Sequence, residues 1–164
     1  MILPTSPQNT VLITGAAGGI GVGLVETLVE AGWSVLGSDH PSVSPSENLL
    51  QRCQAWIPAD LGGLSRDPHQ LEALRASVLS ATGNDELMAV VHNAAVQRLG
   101  SFELLGLADW QETLDVNLMA PVAISRALLP QLKRQRGSIV HIGSIHSQLT
   151  KPGFTAYATS KAAL

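Results

Sequence analysis

The 164-residue sequence is poor in cysteine, in aromatic residues and in charge. Cys53 is the single cysteine, so neither a disulfide framework nor a cysteine-rich zinc site can be built, which fits a reducing compartment. Charged residues make up 14% of the chain and the net charge is −3, without a long basic run, so nothing supports nucleic-acid binding. The apolar run at 87–96 is broken by His92 and Asn93 and is too short to span a bilayer.

The first ten residues lack both the basic region and the apolar region of a signal peptide. Hydrophobic residues make up 45% of the chain, enough for a sizeable core at this length. We therefore expect a single domain over residues 1–164, located in the cytoplasm and binding neither nucleic acid nor a membrane.

Short β-rich segments alternate with longer helical segments along the chain. Strands are predicted at 11–13, 33–37, 54–58, 87–92 and 138–142. Helices are predicted at 20–31, 68–82 and 107–135 and from residue 155 onward, the third of them kinked or divided by Pro121 and Pro130. Strands separated by helices imply βαβ units, so the expected fold is α/β, a Rossmann-like doubly wound parallel sheet with five strands present.

A glycine-rich turn follows the first predicted strand and leads directly into a helix. It runs TGAAGGIG from Thr14 to Gly21. Glycines let the backbone approach a pyrophosphate, and the helix N-terminus attracts the anion. Gly15, Gly19 and Gly21 fit the spacing T-G-x-x-x-G-x-G, and Gly18 also allows T-G-x-x-G-x-x-G. The turn predicts a dinucleotide site, although an ordinary tight strand-to-helix connection remains an alternative for this motif alone.

Asp39 ends the second predicted strand, eighteen residues after Gly21. A carboxylate at this position accepts the hydroxyls of the adenosine ribose and repels a 2′-phosphate. His40 and Pro41 follow it, and no Arg or Lys lies close behind. The position favours NAD over NADP; a carboxylate that only caps a turn is the alternative.

Tyr157 and Lys161 are spaced i, i+4 in the last predicted helix and therefore share one face. A cation beside the phenol favours the phenolate, which makes the phenol a better proton donor and acceptor near neutral pH. Ser144, thirteen residues before the Tyr, can hold a carbonyl or alkoxide oxygen. Together the three side chains indicate nicotinamide-dependent chemistry on an alcohol or carbonyl.

These residues together resemble the classical branch of the short-chain dehydrogenase/reductase family over residues 11–164. Its adenine-side Asp matches Asp60, and its Asn-Ala-Gly segment is similar to Asn93-Ala94-Ala95, with Ala in place of the last Gly. The cofactor-binding residues that the resemblance and the turn imply are Gly15, Gly18, Gly19, Ile20, Gly21, Asp39, Asp60, Leu61, Asn93, Ala94, Tyr157 and Lys161.

The resemblance also implies four catalytic residues and no metal. Tyr157 exchanges a proton with the reacting oxygen, and Ser144 hydrogen-bonds that oxygen. Lys161 supports the Tyr and binds the nicotinamide ribose, while Asn117 holds a water that links Lys161 to solvent. His92 and His141 stand where the family often has Asn, which puts the substrate preference in more doubt than the reaction.

We therefore expect an NAD(H)-dependent oxidoreductase that acts on a small-molecule alcohol or carbonyl. The alternatives are an extended-type nucleotide-sugar epimerase or dehydratase, which Gly18 permits, and an inactive nucleotide-binding fragment. His146 favours a polar or anionic substrate if it borders the pocket, and is otherwise a solvated loop residue.

Family members continue past this last helix with two more strands, so the resemblance implies a chain that is truncated at its C-terminus. We expect the 164-residue chain alone to be inactive and to self-associate through an uncovered strand at 138–142. We expect the complete protein to form a homo-oligomer.

Overall fold

The computed structural model describes residues 9–82 and 87–164, and these residues form a five-stranded parallel sheet with flanking helices. The strands are β1 (Thr10–Thr14), β2 (Ser34–Ser38), β3 (Ala55–Trp56), β4 (Leu87–His92) and β5 (Ser138–His141). The helices are α1 (Gly19–Glu30), α2 (Glu47–Arg52), α3 (Leu61–Leu64), α4 (Pro68–Thr82), α5 (Leu107–Leu114), α6 (Ala120–Gln135) and α7 (Thr155–Ala163). A π-helical turn (Asp115–Met119) joins α5 to α6, and a 3₁₀ turn (Ile145–Ser147) follows β5.

The strands pair in parallel in the order β3-β2-β1-β4-β5, which confirms the predicted Rossmann-like sheet. From β1 the chain adds strands on one side as far as β3, then crosses over and continues on the other side with β4 and β5. The direction of winding therefore reverses between β1 and β4. In open parallel sheets, ligands bind outside the carboxyl ends of the strands at such a switch point.

Both faces of the central strands are covered, which explains why these strands are apolar almost throughout. Alternate residues point to opposite faces, so Leu12 joins a core with α4 and α6, whereas Ile13 joins a second core with α1 and α2. Both side chains are fully buried. The sheet is thus held rigidly between two helical layers, and the loops at its carboxyl edge start from fixed points.

Some elements differ from the sequence-based expectation for local reasons. β3 is shorter than predicted, although Ile57 N–H and Ala59 N–H still donate to the β2 side of the sheet. Helix α2 was not predicted; its signal is Ser46, whose Oγ accepts from the Leu49 N–H as an N-terminal cap. The predicted cap of α4 is present, since Asp67 Oδ1 accepts from the His69 N–H at 2.9 Å.

The long helical region is interrupted by the π-helical turn and not by either proline. Pro121 stands in the first turn of α6, directly after the π-helical turn, and α6 continues through Pro130 to Gln135. A π-helical turn inserts one residue into the helix and often marks a functional position. Here it contains Asn117, one of the predicted catalytic residues.

Strand β5 forms one edge of the sheet, and its side chains are exposed, Ile139 by 39% and Val140 by 42%.

No helix in the described ranges is long and apolar enough to cross a membrane.

Gly21 and Gly23 both lie in α1 but differ in their surroundings, which allows a test of the packing behind the turn. A Cβ at Gly21 would collide with the Gly15 carbonyl oxygen and the Ala16 backbone, whereas nothing lies within 4 Å of a Cβ at Gly23. We expect Gly21→Ala to lower the free energy of unfolding by about 1–3 kcal/mol through overpacking. Gly23→Ala should raise it by about 0.5–1 kcal/mol through helix propensity. Urea unfolding measures both, and equal effects would contradict the close approach.

Candidate active site

A cleft of about 730 Å³ opens at the carboxyl ends of β1 to β4, at the predicted switch point. The turn after β1, the ends of β2 and β3, the loop after β4 and the π-helical turn form its walls. It is lined by nine of the predicted cofactor residues: Gly15, Gly18, Gly19, Ile20, Asp39, Asp60, Leu61, Asn93 and Ala94. The other three, Gly21, Tyr157 and Lys161, lie outside this lining.

The four glycines of the turn have different physical roles. Gly15 has φ +65°, and a Cβ there would lie 2.7 Å from the Ala94 Cα, so only glycine fits. Gly21 is buried behind the turn and serves packing rather than the cleft surface. Nothing lies within 4 Å of a Cβ position at Gly19, and Gly18 gives α1 no side-chain cap. The N-terminus of α1 is therefore open to the cleft and suited to an anion.

Thr14 and Asn93 hold the turn against the loop after β4. The Thr14 hydroxyl accepts from the N–H groups of Asn93 and Ala94 at 3.2 Å each. The Asn93 side-chain amide in turn donates to the Gly15 carbonyl at 2.9 Å. Thr14 was not among the predicted site residues, although it is the first residue of the glycine motif. Its hydroxyl fixes the positions of the two loops that form this part of the site.

The Asp39 carboxylate both supports the turn and faces the cleft. Its Oδ2 accepts from the Ala17 N–H at 3.0 Å, and its Oδ1 accepts from the His40 N–H at 2.8 Å. Each carboxylate oxygen keeps acceptor capacity after one such bond. The structure therefore shows Asp39 as a turn cap whose carboxylate also lines the cleft.

Asp60 caps α3 at the far end of the cleft by accepting from the Gly62 N–H at 3.0 Å. His40 Nδ1 accepts from the Ser42 N–H at 3.2 Å, so a neutral His40 carries its proton on Nε2, 3.9 Å from Asp60 Oδ1. Asp39, His40 and Asp60 thus form one polar wall.

Ser144 and Tyr157 lie beside the cleft, where α7 packs against the 3₁₀ turn. Ser144 precedes that turn, and its Oγ accepts from the His146 N–H at 3.2 Å. The His146 ring lies edge-on to the Tyr157 ring, with the ring centroids 6.0 Å apart. His146 therefore links the two predicted catalytic residues, and Tyr157 stays half-buried and accessible.

Lys161 is a buried cation, 6% exposed, on the same helix as Tyr157. Its Nζ donates to the Ile142 carbonyl at 2.8 Å, which ties α7 to the segment after β5. Burial lowers the pKa of Lys161 from its ordinary value. The ammonium has little solvent around it, so its field acts on its neighbours with little screening.

Asn117 joins the cleft to α7 through its side-chain amide. The Oδ1 atom accepts from the Val96 N–H at 2.8 Å, and Nδ2 donates to the Val96 carbonyl and the Ser160 Oγ at 2.9 Å each. Ser160 Oγ donates to the Tyr157 carbonyl at 2.7 Å. Both amide protons of Asn117 are thus used within the protein. The side chain is arranged to position α7, and the predicted water contact would have to use another atom of this residue.

The sequence reasoning missed the environment of His146. Its ring is half-buried and stacks on Phe154 at 4.3 Å with a 15° interplanar angle, so it is not a solvated loop residue. Lys151 Nζ lies 4.6 Å from the centre of the same Phe154 ring. This aromatic cluster forms the surface next to Tyr157, and no spacing rule in the sequence reveals the stacking.

His92 and His141 are the last residues of the paired strands β4 and β5, and their rings stack with the centroids 4.9 Å apart. His92 is 2% exposed, and its Nε2 lies 2.8 Å from the Ser125 Oγ. Burial, and secondly the charge of His141, lowers the pKa of His92 to about 4. Burial and the Lys161 charge lower the pKa of His141 as well. Within residues 9–82 and 87–164, no three His, Cys, Asp or Glu side chains are grouped as metal ligands.

Comparisons with known proteins all identify dehydrogenases or other oxidoreductases. The sequence model of the family described as short chain dehydrogenase matches residues 9–164. Estradiol 17-beta-dehydrogenase 2 of Mus musculus is 30% identical over 99% of this chain and 43% of its own length. "Probable galactose dehydrogenase GalD" of Rhizobium meliloti (strain 1021) is 32% identical over 100% of this chain and 66% of its own. The chain thus spans between 43% and 66% of the length of these two relatives.

A solved structure is similar as well. It is a short chain dehydrogenase/reductase family oxidoreductase from Brucella ovis, in complex with a partially ordered NAD. Its sequence is 32% identical, its TM-score is 0.80, and the match covers 96% of this chain and 73% of that one.

The depressed pKa of His92 predicts a stability loss in mild acid. Between the ordinary value of 6.5 and about 4, the unfolded chain binds a proton that the folded protein excludes. The stabilisation is therefore complete above pH 6.5 and falls by up to about 3 kcal/mol as the pH approaches 4. Unfolding free energies measured across this range should show a shallower slope for His92→Gln. His69→Gln, an exposed control, should keep the parent slope, and a parent slope in His92→Gln would refute the assignment.

Proposed function

Because the chain belongs to the short chain dehydrogenase family, we propose that its protein is an NAD(H)-dependent oxidoreductase that interconverts an alcohol and a carbonyl. The observation that carries the proposal is that two parts of the site lie next to each other at one edge of the sheet. The first is a glycine-lined cleft with a carboxylate at the end of β2, and the second is the helix that holds Tyr157 and Lys161. Asn117 connects the two parts directly.

The cleft fits a dinucleotide on three structural grounds. The Gly15 conformation brings the turn close to Ala94, Gly19 leaves open space, and the N-terminus of α1 has no side-chain cap. When bound, NAD supplies the hydride acceptor at its nicotinamide. Gly18, Gly19 and Ile20 would face the pyrophosphate, and Asn93 and Ala94 would line the path toward the nicotinamide.

Asp39 supports NAD as the cofactor. Its carboxylate retains lone pairs for the ribose hydroxyls, and its negative charge disfavours a 2′-phosphate. Asp60 and Leu61 lie on the adenine side of the same cleft. The Brucella ovis relative, which was solved with a partially ordered NAD, supports the same preference.

Tyr157 is the proposed acid and base. It gives its phenolic proton to the carbonyl oxygen in reduction and takes it back in oxidation, while Ser144 hydrogen-bonds that oxygen. Lys161, buried and positively charged on the same helix face, favours the phenolate and is proposed to bind the nicotinamide ribose. Asn117 and Ser160 tie α7 to Val96 in the wall of the cleft.

The substrate is proposed only as a small-molecule alcohol or carbonyl. Relatives of similar identity are named for a steroid and for a sugar, so identity does not select between such classes. The sequence has no long run of basic residues. We expect a protein with this chemistry to act in the cytoplasm. We also expect it to form a homo-oligomer.

Tyr157→Phe tests the proposal because it keeps the ring and removes only the hydroxyl. In the protein that carries this chain, NADH formation over a panel of alcohols should fall roughly 10²–10⁴-fold, as for a lost general acid. NAD affinity should stay at the parent value. Thr159→Ala, on the exposed face of α7, should keep parent turnover. Near-parent turnover in Tyr157→Phe would remove this residue from the mechanism.

A further inference from the structure

Arg66 lies in the cleft although nothing in the sequence pattern places it there. It follows α3 and lines the cleft together with Asp60, Gly62 and Val116. Its side chain is 62% exposed. The sequence near Asp39 lacks Arg and Lys, so the fold brings a cation to the cleft from a different element.

The inner part of the Arg66 side chain is fixed. Its Nε–H donates to the Gly62 carbonyl at 3.2 Å, and the same nitrogen lies 3.2 Å from Asp115 Oδ2. The Asp115 side chain is only 4% exposed, and its Oδ1 accepts from Ser65 Oγ and Gln111 Nε2. A buried carboxylate that is itself held by two donors anchors the guanidinium at one edge.

The outer part of the guanidinium is free to contact a ligand. Among the described residues, none accepts a hydrogen bond from its two terminal nitrogens. The neighbouring carboxylates already have partners: Glu112 makes a two-point pair with Arg98, and Asp60 caps α3. The anchored guanidinium thus keeps its two terminal nitrogens available for a ligand in the cleft.

The charges in the cleft select the kind of ligand group. Asp39, Asp60 and Glu112 all line it; Glu112 is already paired with Arg98, so a 2′-phosphate would meet the carboxylates of Asp39 and Asp60. A neutral purine base avoids this repulsion, and its ring face stacks well on a guanidinium plane. Arg66 is also on the Asp60 side, where the adenine half of a dinucleotide is expected.

We propose that the guanidinium plane of Arg66 contacts the adenine base of the dinucleotide and contributes to its affinity. The proposal rests on the proposed function, since it requires that the cleft binds NAD. It assigns a cofactor-binding role to a residue outside the glycine turn, the end of β2 and the helix of Tyr157. Asp115 acts as the positioning residue behind it.

Calorimetric titrations of the protein that carries this chain with ADP-ribose, NAD and NADP test the assignment without any activity measurement. Arg66→Gln keeps a planar polar group without the cation, and Arg66→Lys keeps the cation without the plane. We expect both variants to bind ADP-ribose and NAD roughly 3–30-fold more weakly than the parent. NADP affinity should fall by the same factor as NAD affinity. Arg75→Gln, a surface ion-pair residue of α4 outside the cleft, should bind like the parent.

The outcomes separate this inference from the function on which it rests. A parent protein that binds neither ADP-ribose nor NAD defeats the proposed function and this inference with it. A parent that binds both, with variants of unchanged affinity, defeats the Arg66 assignment alone. Full affinity in Arg66→Lys would show that the guanidinium plane is not needed for binding. A loss of affinity confined to NADP would assign the guanidinium to the 2′-phosphate. Either result overturns the proposed contact with the adenine base. Melting temperatures of the variants, measured in parallel, identify any loss caused by unfolding.

Discussion

The contact between the turn after β1 and the loop after β4 sets the geometry of the whole site. It requires a residue without Cβ at Gly15, since a Cβ would lie 2.7 Å from the Ala94 Cα. The Thr14 hydroxyl and the Asn93 amide then hold the two loops together across the switch point of the sheet. Because the loop after β4 continues to Val96, which is bonded to Asn117, the same contact also fixes the distance from the cleft to α7. A change at the turn would therefore disturb α7 as well as the cleft.

The electrostatic properties of this site depend more on the burial and the bonding partners of each charged group than on the number of charges. The carboxylates that line the cleft are held by backbone N–H groups or by an arginine, so their positions are set before a ligand arrives. Lys161 and the His92–His141 pair do not line the cleft, and burial lowers the pKa of all three groups. With a pKa of about 4, His92 is neutral near pH 7, so in the proposed mechanism Lys161 is the cation that favours the phenolate.

Much of this arrangement could be predicted from the sequence because its signals are local. The alternation of strands and helices gave the parallel sheet, and the spacing of Gly15, Gly19 and Asp39 located the cleft. The sequence did not reveal Arg66, because its place depends on a buried Asp115 that lies 49 positions later in the chain. The stacking of His146 on Phe154 and the hydrogen bonds of Asn117 to Val96 and Ser160 likewise join segments that no periodicity connects. Local motifs fix which residues reach the carboxyl edge, whereas tertiary packing decides what each one contacts there.

The central claim is that the Asp39 carboxylate makes this cleft a site for NAD. Titrating NAD and NADP against the parent protein and against Asp39→Asn tests it most directly. The variant can keep its oxygen for the Ala17 N–H, but it loses the charge and the acceptor for the exposed His40 N–H. We predict that the parent binds NAD at least about tenfold more tightly than NADP, which corresponds to about 1.4 kcal/mol, and that the variant narrows this ratio. A parent that binds neither nucleotide, or that prefers NADP, would contradict it.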